Sequence, residues 1–439
     1  MPHIIIVGLG PGDPDLLTRA AWDALAAAPE VYLRTNQHPV VAALPTQLTL
    51  HSFDEEYARA DDFAAVYGEI ARQVVALGGR PEGVVYAVPG DPTVGEATTW
   101  LIRAAAAEAG IPVRVLHGVS FVEPACLALE LDPLETDGLQ VLDAMVVAAS
   151  HAPPFDTSRP VLLAQCYNRA LASDVKLTLL HSFDETHPVT VLRGAGGGPG
   201  EATVTTIALY EMDRSAAFDH LTTLYVPPAG PLASYSRLQE IVAHLRAPDG
   251  CPWDREQTVQ TLRKDLLEEV YELIEALDED DDIKMAEELG DAALVLAMIA
   301  QIGAEEERFR WPQVMTQIVE KLIRRHPHVF GDVEVVDADE VLRNWAAIKD
   351  REREGKEGKV GKRGNGVLDS VPRALPALML AGKYQSRLAR AELEPSLKGA
   401  NPIGLRLWEI VTEAQAGGID AETALREVCE QVVAAVESS

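Results

Sequence analysis

Glu268, Glu269 and Glu272 in the run LLEEVYELIEAL, with Glu288 and Asp291 in MAEELGDAALVLAMI, are the residues whose types and spacing can do chemistry. Positions three or four apart share a helical face. Glu269 and Glu272 therefore fall on one face, and Glu288 and Asp291 on another. Leu266, Val270, Leu273 and Ile274 run beside the first set; Leu289, Ala292 and Leu296 run beside the second. Carboxylates bordering an apolar stripe are costly unless a cation neutralises them. Mg²⁺, a hard ion with oxygen ligands, does so. A single ExxE or ExxD is ordinarily a solvated helix face. Two such sets on consecutive helices, joined by the short acidic turn Asp278 to Asp282, match the geometry that helical bundles use for metal sites. The acids of the turn itself read as solvated.

Composition bounds the rest. A chain of 439 residues has room for two or three domains. Its 47% apolar and 24% charged residues are those of a globular protein. A net charge of -30 and a pI of about 4.7 disfavour nucleic acid and anionic membrane as partners. A polyanionic substrate is accommodated only where metal or local Lys and Arg invert the field. The four cysteines (Cys126, Cys166, Cys251, Cys429) form no CxxC pair. They read as reduced thiols of a cytoplasmic protein, without a zinc site or a disulfide framework. MPHIIIVGLGPGD lacks the features of a signal peptide, and the apolar run Ala292–Ile302 is too short to span a bilayer.

Up to residue 230, short β-rich runs alternate with helical patterns. Strands are expected at Ile4–Val7, Val84–Val88, Val113–Leu116, Ala144–Ala148, Val161–Ala164, Val189–Leu192 and Leu224–Val226. Helices are expected at Asp15–Ala28, Phe63–Leu77 and Thr98–Ala109. This is an α/β domain, with a largely parallel sheet in its first half. The joint at Pro227, Pro228, Gly230 and Pro231 ends it. An all-α helical bundle is expected over 235–352, a flexible linker over 353–366 (within REREGKEGKVGKRGNG), and a helical tail over 367–439. The pentapeptide HSFDE, at His51 and again at His181, reads as a chance repeat.

Three strand-end loops of the first domain carry glycine motifs: Gly8-Leu9-Gly10-Pro11-Gly12-Asp13, Pro89-Gly90-Asp91-Pro92-Thr93-Val94-Gly95-Glu96, and His117-Gly118-Val119-Ser120-Phe121. Glycine there lets a ligand approach the backbone, and open α/β sheets bind ligands at such strand ends. The stretch Gly194–Gly200 lacks a following Lys-Ser/Thr and reads as a hairpin connection. Together the three motifs, within residues 3 to 227, resemble the tetrapyrrole (precorrin/uroporphyrin) methylase family. The resemblance implies two α/β subdomains with S-adenosylmethionine in the cleft. It places Leu9, Gly90, Asp91, Val94, Ser120 and Phe121 around the cofactor, Asp91 as its polar contact. It does not name a methyl acceptor.

The acidic helices sit among further recognisable pieces. Cys251-Pro252-Trp253-Asp254 precedes them; KLIRRHPHVFGD from Lys321 and Asn344-Trp345-x-x-Ile348-Lys349 follow. Over residues 238 to 352 the chain is similar to the MazG family of nucleoside triphosphate pyrophosphohydrolases. That implies cleavage between the α- and β-phosphates, with Glu269, Glu272, Glu288 and Asp291 as Mg²⁺ ligands. Glu268 is implied as general base or spare ligand. Lys321 and Arg325, four apart on one helix, and Lys349 are candidates for phosphate oxygens; a solvated basic helix end is the alternative for Lys321, Arg324 and Arg325. Trp253 and Trp345 are candidates for base stacking, against plain packing. His326 and His328 read as helix-terminal structure. A homodimer is expected.

The tail resembles a second MazG module at both ends, in VLDSVPRALPAL from Val367 and GIDAETALR from Gly418, yet Ile403-Gly404-Leu405-Arg406 stands where acidic residues would. A degenerate, metal-free module follows from this; a plain helical extension is the alternative. For the whole chain, nucleotide hydrolysis is the leading expectation. A methyltransferase whose helical module serves assembly or regulation is the second.

Overall fold

A computed structural model describes residues 1–59, 62–135, 138–197, 202–215, 217–357, 367–369 and 371–437. The chain divides into two compact units, Met1–Arg310 and Trp311–Ser439.

The first unit runs β1 (Ile4–Gly8), α1 (Arg19–Ala27), β2 (Glu30–Leu33), β3 (Thr49–Ser52), α2 (Asp54–Arg59), α3 (Phe63–Gly78), β4 (Val84–Val88), α4 (Ala97–Glu108), β5 (Val113–Leu116) and α5 (Val122–Ala128). It continues with β6 (Gln140–Asp143), α6 (Ala144–Ala148), β7 (Val161–Ala164), α7 (Arg169–Leu179), β8 (Pro188–Arg193), β9 (Thr203–Ala208), α8 (Met212–Ser215) and β10 (Thr222–Val226). Strands β1 to β5 form one parallel sheet in the order β3-β2-β4-β1-β5. Its central strands, IIIVG and VVYAV, are apolar almost throughout because layers of side chains cover both faces; Ile4, Ile6, Val7, Val84 and Tyr86 are buried. The second sheet has the order β6-β7-β10-β8-β9, parallel only between β6 and β7. The antiparallel β8–β9 pair gives the glycine stretch after Arg193 a hairpin's flanks; residues 198–201 lie outside those described.

The structure differs from the sequence expectation in several places. Ala144–Ala148 is helix α6, not a strand. Asp143 ends β6 and caps the helix, its carboxylate accepting from Met145 N at 2.8 Å. A five-residue apolar run carries no period that separates strand from helix. Edge strands β3 and β9, largely exposed and rich in threonine or serine, are too polar to stand out. The helix expected from Asp15 starts at Arg19, where the Thr18 hydroxyl accepts from Ala21 N.

Four helices complete this unit: α9 (Tyr235–Leu245), α10 (Pro252–Glu256), α11 (Leu262–Glu279) and α12 (Asp282–Glu305). Asp280 closes α11 in the left-handed region (φ 54°), and the Asp281 carboxylate caps α12 through Ile283 N and Lys284 N. That two-residue connection makes α11 and α12 a helical hairpin. Val242, Leu262, Val295, Met298 and Ile302 pack as one core, fastening α9 to the hairpin. Arg246, 7% exposed, ties the end of α9 to Glu305 at 2.6 Å and to the carbonyls of Asp254 and Gln257. Removing one partner of such a pair strands the other. Arg246→Ala should therefore cost about 3 kcal/mol, read as a lowered urea midpoint.

The second unit contains α13 (Trp311–Arg325), α14 (Pro327–Phe330), α15 (Ala338–Glu357), α16 (Ala377–Arg390), α17 (Pro402–Ala416) and α18 (Ala421–Glu437). Helix α15 runs on to Glu357, through the first part of the linker expected over 353–366. Arg, Glu and Lys sustain a helix where apolar residues are few. Residues 358–366 lie outside those described. Gly382 lets α16 and α17 approach closely: Gln415 Nε2 donates to its carbonyl at 2.8 Å, beside buried Val411. Among the described residues no helix is long and apolar enough to cross a membrane.

Candidate functional site

The three glycine motifs meet backbone to backbone. Gly10 and Gly90 form an isolated bridge, with N–H···O distances of 3.2 and 2.8 Å. A methyl on Gly8 would lie 2.6 Å from Gly118 N and 2.7 Å from Gly90 O. Asp91 stitches two of the loops together. Its Oδ1 accepts from Thr93 N (2.7 Å) and Thr93 Oγ1 (2.6 Å); its Oδ2 accepts from Gly118 N (3.2 Å) and sits 2.9 Å from His117 Nδ1. Burial raises the Asp91 pKa, but these contacts outweigh it and hold the carboxyl below its ordinary value.

Beside this knot is a cavity of about 720 Å³, whose lining includes Gly90, Asp91, Val94 and Phe121. Leu9 and Ser120, also expected there, do not line it. Leu9 is 1% exposed and belongs to the core with Val7 and Ala87. Ser120 lies just before α5, accepting from Val122 N and donating to Glu123. Gly90, at φ 65°, has open space where a side chain would be, so a ligand can reach its backbone. Asp91 lines the cavity with both oxygens already engaged by the protein.

Sequence reasoning missed the other side of the cavity. Arg34 follows β2; it donates to Glu96 (2.6 Å), Tyr57 (2.9 Å) and Tyr67 (3.3 Å). Burial alone would favour loss of its proton; Glu96 outweighs that and drives its pKa up. Glu96 was visible as the last residue of PGDPTVGE, but without β2 nothing pointed to its partner. His38, also lining the cavity, is 6% exposed, and burial pushes its imidazole down to about 4 from the usual 6.5. The unfolded chain then binds the proton more readily within that window. His38's contribution to stability should be complete above pH 6.5 and decline as pH falls towards 4. His38→Gln should flatten that slope in urea titrations at successive pH values.

The acidic helices converge elsewhere in the same unit. Glu269 and Glu272, one turn apart on α11, meet Glu288 of α12, with a carboxylate oxygen of each within 4.8 Å of the others. Burial first, then the charges of Asp291, Glu272, Glu288 and Glu268, raise the Glu269 pKa. Burial, Glu272, Asp291 and Glu287 raise that of Glu288, with Lys284 opposing. Asp291 thus acts on both but lies outside the mutually close trio. Glu268 also lies outside it, 3.4 Å from Lys264. Lys284 is engaged by Glu275 and Glu279, each at 2.9 Å. All-oxygen donors that repel one another and lack a protein cation fit a hard divalent ion. Trp253, on α10, is 64% exposed.

In the second unit, Arg325 and Arg324 are held by Glu352 at 2.6 and 2.7 Å. Arg325 also lies 5.1 Å from the Trp345 ring centroid, and Lys349 lies 4.6 Å from it, so Trp345 bears two cations. Lys321 is one turn before Arg325 on α13. His326 caps the end of that helix against the Leu322 carbonyl.

Residues 3–210 match the Tetrapyrrole (Corrin/Porphyrin) Methylases family, and residues 257–330 match the MazG nucleotide pyrophosphohydrolase domain. A nucleoside triphosphate pyrophosphohydrolase/pyrophosphatase MazG of Thermotoga maritima is 34% identical over 45% of this chain and 82% of its own length. The chain belongs to the MazG family. Its first half is a tetrapyrrole methylase domain. The uncharacterized protein YabN of Bacillus subtilis is 40% identical over 87% of this MazG-family chain and 76% of its own length. A nucleoside triphosphate pyrophosphohydrolase of Escherichia coli is 39% identical over 40% of this chain, which spans 65% of that enzyme's length. The MazG match contains the trio, Asp291, Lys321 and Arg325; Trp253, Trp345 and Lys349 fall outside it.

Proposed function

We propose that this protein hydrolyses nucleoside triphosphates to nucleoside monophosphate and pyrophosphate, using Mg²⁺ held by Glu269, Glu272 and Glu288, with Asp291 adding charge beside them. The observation that carries this reading is the carboxylate trio on the α11–α12 hairpin, free of any ion pair among the described residues. The ion supplies neutralisation of phosphate oxygens and a more acidic bound water. The trio fixes its place, and the hydrophobic packing of the hairpin fixes the trio. Exposed Trp253 is assigned to the base. Incubation with each nucleotide and Mg²⁺ should release pyrophosphate; release of orthophosphate alone would reject the reaction.

The role is clearance of surplus or non-standard nucleotides in the cytoplasm, in keeping with four free cysteines. The working form is a homodimer. Leu267, Val270, Leu277, Leu289 and Leu296 leave apolar surface on α11 and α12 that a second copy covers. Light scattering tests that form.

A second reading is favoured by the cavity. The first domain binds S-adenosylmethionine, which supplies an electrophilic methyl group, against Gly90, Asp91, Val94 and Phe121. Calorimetry with S-adenosylhomocysteine tests this independently of hydrolysis. The tail is assigned as a degenerate MazG module, with exposed Arg406 in place of a carboxylate.

A further inference from the structure

The chemistry lining the methylase-domain cavity is at odds with a tetrapyrrole. Among the residues lining it there is one arginine and no lysine. That arginine, Arg34, is already committed to Glu96, Tyr57 and Tyr67. The residues of this unit outside the described set are Ala, Asp, Thr, Gly, Pro and Glu, so they bring no further cation. Against this stand acidic groups. Asp54 accepts from Thr35 Oγ1 (2.6 Å) and Asn36 N (2.9 Å), hydrogen bonds that leave its charge in place. Asp91 is held by neutral donors and by His117. Asp219, also in the lining, is the one offset by a full cation, Arg193 at 2.6 Å. His38 is held neutral at physiological pH and offers no charge to a carboxylate. His220 is the other imidazole of the lining; beyond it, a polycarboxylate would meet like charges and no uncommitted lysine or arginine.

Size and surface point the same way. A cavity of about 720 Å³ is on the scale of one drug-sized ligand. Part of the wall is an aromatic cluster: Phe63 sits 6.4 Å from Tyr57, 6.1 Å from Tyr67 and 6.1 Å from Tyr167, centroid to centroid. The last contact joins the two halves of the domain. Phe63 remains 40% exposed, so it has ring surface left to cover. Aromatic walls with acidic neighbours favour flat or cationic ligands. Finally, buried His38 Nδ1 has no hydrogen-bond partner. A buried polar atom in a cavity wall without a partner is accounted for when a ligand supplies the missing donor.

We infer that this cavity accepts, beside the methyl donor, a compact aromatic molecule that is uncharged or cationic and bears an N–H or O–H donor, and that it excludes polycarboxylate macrocycles. This rests on the second reading above only for the presence of the donor. The full-length protein is titrated calorimetrically, alone and at saturating S-adenosylhomocysteine, with uroporphyrin III and with indole, tyramine, tryptamine and adenine. At least one aromatic probe should bind at least about tenfold more tightly than uroporphyrin. The Phe63→Ala/Tyr167→Ala double variant should weaken it by about tenfold, with folding checked by circular dichroism. Uroporphyrin binding as tightly as every probe overturns the inference. So does binding by none of the probes, or probe binding undiminished in the double variant. Failure of S-adenosylhomocysteine to bind, with the aromatic probes still bound, removes the methyl-donor reading and leaves the ligand class standing.

Discussion

Glu269→Gln should lower pyrophosphate release about a thousandfold, equivalent to about 4 kcal/mol of barrier. The amide keeps the shape of the side chain and its packing on α11, so the loss isolates charge. Glu272→Gln and Glu288→Gln should behave alike, since the three carboxylates are equivalent in their mutual approach. Asp291→Asn should cost less, because Asp291 acts on the trio through its field from outside the close set. Stability should move in the opposite direction. Without metal the trio is a knot of like charges on a hairpin, and removing one of them relieves repulsion. In EDTA the Gln variants should melt higher than the unaltered protein; with Mg²⁺ the order should reverse, because a ligand that binds only the folded state stabilises it. Unaltered turnover in all three variants would leave the trio without a catalytic role.

Gly118→Ala is the largest effect expected in the first domain. Its new methyl would overlap the Gly90 carbonyl oxygen and come within 3.0 Å of Gly10 N and Gly8 C. All of these are backbone atoms, so no side-chain rotation relieves the clash. The loops must part, and with them the Asp91 bridge. A cost of about 3 kcal/mol is expected, together with loss of S-adenosylhomocysteine binding. Gly68→Ala is the contrast. Gly68 lies on the exposed side of α3 with nothing within 4 Å of the added methyl. Alanine there should stabilise by about 0.5–1 kcal/mol. Equal urea midpoints for the two variants would mean that the loops are not packed as described.

Both halves of the fold were legible where a local period carries the information. Apolar runs that are buried on both faces announced β1, β4 and β7; i, i+3 acids beside apolar stripes announced α11 and α12. Where the period is too short or too polar, reading failed. Ala144–Ala148 is decided by the Asp143 cap, and β3 and β9 by the strands they pair with. The same limit applied to the cavity. Val94 and Phe121 were visible from their motifs, but Leu9 and Ser120 share those motifs and face other work. Arg34, Tyr57, Tyr67 and Tyr167 carry no motif and meet only through the fold.

The sequence by itself determined which residues could do chemistry here: side-chain type and helical spacing are local properties, and they alone put Glu269 with Glu272 and three glycines at strand ends. Tertiary structure decided which of them act together. Glu288 joins the first pair because a two-residue turn folds α12 back on α11, whereas Asp291, one turn further along, stays outside. Arg34 becomes unavailable because Glu96, sixty-two positions away, reaches it first. Such meetings depend on burial and closure across long loops, which no spacing along the chain records.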